Sequence, residues 1–177
     1  SPAGAVGFWQ FMPQTAREYG LEVNGDVDER LHLIKSTESA AAYLKYAYEV
    51  FGNWTLAAAS YNAGMQRIQS EMNKQKAKSY YDLFLNDETS RYMHRILATK
   101  LIFESPETYG FAITDEQSYA FPETKFIIIS KSNISWVNFA LSHNMNYAEL
   151  RELNPWIKGH STANRNQKEY EIQVLGN

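Results

Sequence analysis

The spacing of apolar residues changes once along this chain, and the change limits the fold to a helical part followed by a small mixed part. From Ser36 to Phe51, the residues Ala40, Leu44, Ala47, Tyr48 and Phe51 recur at helical spacing. That predicts one amphipathic helix, capped by Ser36 or Thr37 and stopped by Gly52. Asn53 suits the cap of a second helix through Trp54, Leu56 and the alanines 57 to 59, ending at Gly64. A third starts near Asp87, carries Tyr92, Met93, Ile96, Leu97 and Leu101, and ends before Pro106. Pro13 suits the first turn of a further helical segment that Gly20 closes. After Ser118 the pattern shortens. Thr124 to Ser130 and the alternating Tyr170, Ile172 and Val174 predict strands. Between them, Trp136 to Leu141 and Tyr147, Leu150 and Leu153 predict two short helices. The expected class is α+β: an all-helical domain over 1–110, a polar linker over 111–122 and a βααβ domain over 123–177.

Composition narrows the chemistry. With 44% apolar residues, the 177-residue chain can bury one sizeable core and a small second one. Its 17 basic and 20 acidic side chains are spread along the sequence, so no basic stripe invites nucleic acid. The absence of cysteine removes disulfides, zinc thiolates and thiol nucleophiles. No apolar run approaches the roughly 18 to 20 residues of a membrane helix. Ser1-Pro2-Ala3-Gly4 is neither an initiator nor a signal peptide, which suggests that Ser1 is not the native start.

Two clusters carry candidate chemistry. In Ser1 to Pro13, the glycines at 4 and 7 permit close backbone approach, Phe8, Trp9 and Phe11 offer flat apolar faces, and Gln10 supplies both a donor and an acceptor. In Ser60-Tyr61-Asn62-Ala63-Gly64, a phenol and an amide stand beside a helix end with small neighbours. Taken singly, the first also reads as a packed turn entering a helix, and the second as a helix C-cap.

Together the clusters resemble the lytic murein transglycosylases, particularly their membrane-bound D type. The resemblance runs from Ser1 to Gly110 and includes Thr15-Ala16, Tyr19-Gly20, Asp28-Glu29-Arg30, Ser36-Thr37, Ala57 to Gly64, and Glu88-Thr89 followed by Tyr92. It implies a lysozyme-like fold and cleavage of peptidoglycan between N-acetylmuramic acid and N-acetylglucosamine, leaving a 1,6-anhydro sugar. The family's catalytic glutamate stands in a Glu-Ser pair ahead of the position of Ser1, so no catalytic acid is expected within the chain. Tyr61 is expected to support that acid. Ser1, Gln10, Met12, Tyr61, Asn62, Glu88 and Tyr92 are expected to hold substrate. Ser90 departs from the family by standing where an arginine is common. Alternatives of an inactive peptidoglycan-binding module and of a lysozyme-type hydrolase stay open.

Other polar residues have plainer readings. Glu18, Glu22 and Glu29 read as solvated charges, Lys74, Lys76 and Lys78 as a solvated turn, and His32 as one partner in a surface ion pair with Asp28 or Glu29. Glu88 also suits the first turn of a helix. No metal or cofactor is expected.

The C-terminal part resembles a lysin motif, or LysM, module, through Tyr147 to Pro155 and Tyr170 to Val174. Lys131-Ser132-Asn133 and Arg165-Asn166-Gln167 replace the module's usual Pro-Gly turns, so it is expected to fold independently but bind chitin-type oligosaccharides weakly or not at all. The resemblances imply peptidoglycan as partner and a bacterial periplasm or cell-envelope location. Membrane contact is expected only through an N-terminal anchor outside this sequence.

Overall fold

The computed structural model describes residues 1–112 and 114–176. They form seven α-helices and four strands: α1 Pro13–Glu18, α2 Leu33–Phe51, α3 Trp54–Ala63, α4 Met65–Gln75, α5 Asp87–Glu104, β1 Thr124–Ile129, β2 Ile134–Ser135, α6 Trp136–Ser142, α7 Tyr147–Leu153, β3 Ser161–Thr162 and β4 Tyr170–Leu175. The chain divides into two compact units, Ser1–Ala40 together with Ala120–Asn177, and Ala41–Tyr119.

The second of these units is helical. Asn53 caps α3 as its sequence predicts, its side chain accepting from the Leu56 amide at 2.9 Å, and Gly64 ends the helix with φ +90°. Leu56, Ala57, Ala59 and Ser60 are all fully buried, so the alanine run lets neighbouring backbones come close. Around α3 gather Ile68 of α4, Met93 of α5, and Tyr80 and Leu83 of the connecting turn. Helix α4 is not expected from the sequence reading, because Met65, Ile68 and Met72 are few apolar marks among amides and charges. Lys74 lies in the last turn of α4 and Lys76 ends it in a left-handed conformation. Asn86 caps α5, whose first turn carries Asp87 and Glu88.

Helix α2 begins three residues earlier than expected. Ser36 therefore lies inside it, its hydroxyl bonded back to the Leu33 carbonyl at 3.2 Å rather than capping. The buried stripe is also rotated. Ser36, Ser39, Ala40, Tyr43 and Ala47 are buried, while Tyr48 is exposed and Leu44 half-buried.

The C-terminal part is the expected βααβ arrangement with one extra pairing. β1 and β4 run antiparallel with Ile127 opposite Ile172 and Ile129 opposite Tyr170, and the short β2 and β3 pair Ile134 with Thr162. Tyr170, Ile172 and Val174 point inward, as their alternation predicts. The apolar run of β1 is buried on one face only, since Phe126 and Ile128 are exposed. A reciprocal capping box between Asn146 and Glu149 starts α7. At its other end the buried Asn154 donates to the Leu150 and Gln173 carbonyls and accepts from the Gln173 amide, locking α7 to β4. Trp136 sits at the centre, fully buried, with its indole donating to the Thr162 hydroxyl at 2.8 Å.

This core is completed from outside the βααβ segment. Val27 is fully buried among Trp136, Trp156, Ile157 and Tyr170. Its strand bridge to Ile157 is flanked by bonds from Asp28 N to the Trp156 carbonyl and from Lys158 N to the Asp26 carbonyl. The C-terminal module is expected to fold on its own, and an N-terminal residue nevertheless supplies part of its core.

Among the described residues no helix is long and apolar enough to cross a membrane.

Replacing Val27 with alanine removes two buried methyl groups and leaves a cavity, so the chain is expected to lose about 2 kcal/mol of unfolding free energy. Urea denaturation followed by circular dichroism measures this. A loss below about 0.5 kcal/mol would show that the βααβ core closes without Val27.

Candidate functional site

The expected site residues fall into two groups, one in each compact unit. The first is the loop Ser1–Met12. Here Gly4 and Gly7 take φ of +88° and +82°, Gln10 takes +51°, and Val6 and Phe11 close the loop as an antiparallel bridge. A left-handed glutamine is uncommon and must be held by its surroundings. Its side-chain amide donates to the Gly7 carbonyl at 2.7 Å, and its backbone amide donates to the same carbonyl at 3.2 Å. The residue is exposed, so this glutamine is fixed in orientation at the surface. Trp9 donates its indole proton to Thr37 at 2.8 Å, Phe11 is buried and Phe8 is exposed. Ser1 accepts from the Ala5 amide through its hydroxyl, which commits it to its own turn. Met12 is exposed at the position preceding α1.

What holds this loop is the segment 26–32, whose charges were expected on the surface. Asp28, Glu29 and Arg30 are buried. Arg30 makes a forked pair with Asp28 and, through Nη1, donates to the carbonyls of Gly4 at 2.8 Å and Phe11 at 3.0 Å. One guanidinium thus pins both ends of the loop. Gly7 packs against the same turn: a β-carbon there would stand 2.0 Å from the Arg30 carbonyl oxygen, so only glycine fits.

Glu29 is nearly inaccessible, and the solvated reading of it is wrong. Its carboxylate accepts from Lys35, Lys168 and the Glu22 amide. Burial pushes its pKa up, but those hydrogen bonds and the two lysine charges outweigh that effect and hold it below the ordinary carboxylate range. Glu22 is half-buried and bonded to Lys168 and Tyr170, so it too departs from the solvated reading. His32 does not form the expected ion pair. It stacks on Trp156 with ring centroids 5.9 Å apart, and burial followed by the Lys35 charge lowers its pKa.

The second group stands where α3 ends and α5 begins. The Asn62 side chain accepts from the Thr89 hydroxyl at 2.8 Å and donates to a Glu88 carboxylate oxygen at 3.2 Å. Its amide orientation is thereby fixed. Tyr61 is half-buried against Tyr43 in an edge-on contact, and Tyr43 itself donates to the Ser60 carbonyl. Burial first, then Tyr92 and Tyr43, raise the Tyr61 pKa, so its phenol keeps its proton at any physiological pH. Burial likewise raises that of Tyr92. Glu88 combines both of its sequence readings, sitting in the first turn of α5 and touching Asn62.

Thr89, Tyr43 and the Asp28–Arg30 clamp are the supporting residues that the sequence reading did not assign. A signal existed for the clamp and for Thr89, since Asp28-Glu29-Arg30 and Glu88-Thr89 stand among the residues that carry the resemblance, although no supporting role was assigned to them. Among the described residues, no group of three or more His, Cys, Asp or Glu is placed to hold a metal ion.

Residues 1–84 match the Transglycosylase SLT domain, and residues 125–174 match the Soluble lytic transglycosylase C-terminal LysM-like domain. Two relatives, each a membrane-bound lytic murein transglycosylase D from a different strain of Escherichia coli, are 30% identical to this chain over 165 residues. The aligned part is 90% of this chain but 36% of either relative, so the chain spans little more than a third of their length. The chain thus carries a transglycosylase SLT domain followed by the LysM-like domain of soluble lytic transglycosylases.

Proposed function

We propose that the chain is the sugar-holding part of a peptidoglycan lytic transglycosylase that cleaves between N-acetylmuramic acid and N-acetylglucosamine in the bacterial periplasm or cell envelope. The observation that carries this reading is Asn62, whose amide is fixed by Thr89 and Glu88 beside a protonated Tyr61. Side chains locked before a ligand arrives spend little entropy on binding, and a fixed amide reads the paired donors and acceptors of an N-acetyl sugar.

In this reading the acid is a glutamate ahead of Ser1, outside these 177 residues. It donates its proton to the glycosidic oxygen as the bond to muramyl C1 breaks. The resulting carboxylate then takes the proton from the muramyl C6 hydroxyl as that oxygen closes on C1. No water is consumed, so one carboxyl group suffices where hydrolases use two. The Tyr61 phenol supports the carboxyl as a donor. Gln10 and Asn62 hold the sugar, and Ser1, Met12, Glu88 and Tyr92 line its path.

Two outcomes test this. The 177-residue chain incubated with purified peptidoglycan is expected to release no 1,6-anhydro products by mass spectrometry, because no proton donor serves the leaving oxygen. Release of such products by this chain would mean that one of its own carboxylates is the acid.

A longer form carrying the upstream glutamate is expected to release them. In that form Tyr61→Phe should lower kcat by about 100-fold, a typical loss for a group supporting proton transfer. Gln10→Ala should mainly raise KM. Products with a free reducing end would identify a hydrolase instead, and wild-type kinetics in both variants would remove the two residues from the site.

A further inference from the structure

The loop joining β3 to β4 is built to grip the SLT domain. Asn164 has φ +39° and organises this loop, donating to the carbonyls of Lys131 and Lys168 and accepting from the Lys168 amide. Lys168 is thereby aimed at two carboxylates, 2.7 Å from Glu22 and 3.2 Å from Glu29. Its ammonium also lies 5.4 Å from the centre of the Tyr170 ring, and the Tyr170 hydroxyl donates to Glu22. Alongside, the Ala163 amide donates to Asp26 and the Lys158 ammonium to the Asn24 carbonyl. Charge, backbone and aromatic contacts from one domain thus converge on residues 22–29 of the other.

Those residues are continuous with the clamp on the sugar loop. Glu29, Arg30 and Leu31 form a single short 3-10 turn. One side of this turn faces Lys168 through Glu29, and the other holds Gly4, Gly7 and Phe11 through Arg30. The two backbone bonds that close the loop's far half are long, 3.3 Å from Val6 to Phe11 and 3.2 Å from Gln10 to Gly7, and three of the loop's residues have positive φ. Such a loop keeps its shape only while the turn stays in place.

We propose that the LysM-like domain acts as an internal brace for the sugar-holding loop, with Lys168 as the positioning residue that fixes the Glu29–Leu31 turn and hence Gln10. This rests on the assignment of Gln10 to sugar binding, but only for its consequence. The brace itself has an independent readout. Lys35 bonds to Glu29 from within the SLT domain, so losing Lys168 leaves the carboxylate paired and the fold standing.

The test uses hydrogen exchange by NMR on the full 177-residue chain and on its Lys168→Met and Lys168→Arg variants. In Lys168→Met the Val6 and Gln10 amides are expected to exchange about tenfold faster, the scale of one lost charge-assisted bond. Helix α4 should be unchanged, and Lys168→Arg should return both amides to near wild-type rates. Unchanged exchange at Val6 and Gln10, or equal acceleration in α4, would overturn the brace. Titration with an N-acetylglucosamine tetramer separates the two ideas. If the loop loosens while the wild-type chain shows no tetramer binding at Gln10, the brace stands and the sugar assignment falls.

Discussion

Burial of the Arg30 guanidinium is the constraint on which the Ser1–Met12 loop depends. A buried cation without partners would cost several kcal/mol, and here each face of the fork is answered, by Asp28 on one side and by the Gly4 and Phe11 carbonyls on the other. The arrangement has a consequence for shape. Two carbonyls seven positions apart, those of Gly4 and Phe11, must meet a single nitrogen, so the chain between them has to fold tightly, and the left-handed Gly4, Gly7 and Gln10 supply the turns. Exposed Gln10 is thus held by a buried charge that it does not touch.

Glu29 obeys the same logic one residue earlier. Desolvation opposes its charge, and two lysines with a backbone amide overcome that opposition. Because its folded pKa is depressed, the stability it contributes is present above its unfolded value and is lost as pH falls through the folded one. The adjacent Val27 is buried in the LysM-like core. A segment of a few residues therefore carries an apolar anchor to one domain, a shared carboxylate, and a cation that shapes the other domain's loop.

Much of this was legible in the sequence wherever local rules decide structure. Asn53 and Gly64 bound α3, α5 starts at Asp87, and Tyr170, Ile172 and Val174 turn inward, because caps and side-chain period act over a few residues. Helix α4 escaped because its apolar stripe is only Ile68 and two methionines. The charges at 28–30 were misjudged for a different reason. A charged triplet is normally solvated, and partners at Gly4, Phe11, Lys35 and Lys168 make its burial tolerable. Two of those partners are backbone carbonyls, which no residue identity announces. In the candidate site, Tyr61, Asn62, Glu88 and Thr89 were visible as motif residues, whereas the role of Thr89 in fixing the Asn62 amide was not, because it depends on a partner 27 positions away.

The LysM-like domain keeps its architecture while its loops turn on different residues. Its sheet register, capping box and Trp136 core belong to the βααβ architecture and are intact. The loops that distinguish this copy have exchanged Pro-Gly turns for Lys131-Ser132-Asn133 and Arg165-Asn166-Gln167, and left-handed Asn133, Asn164 and Gln167 take over the bends that glycine would make. Asparagine tolerates that conformation and, unlike glycine, brings hydrogen-bonding atoms to it. Asn164 uses all of its capacity on Lys131 and Lys168, and Lys168 in turn is spent on Glu22 and Glu29. Polar groups engaged with the protein's own carboxylates must break those bonds before they can serve a glycan.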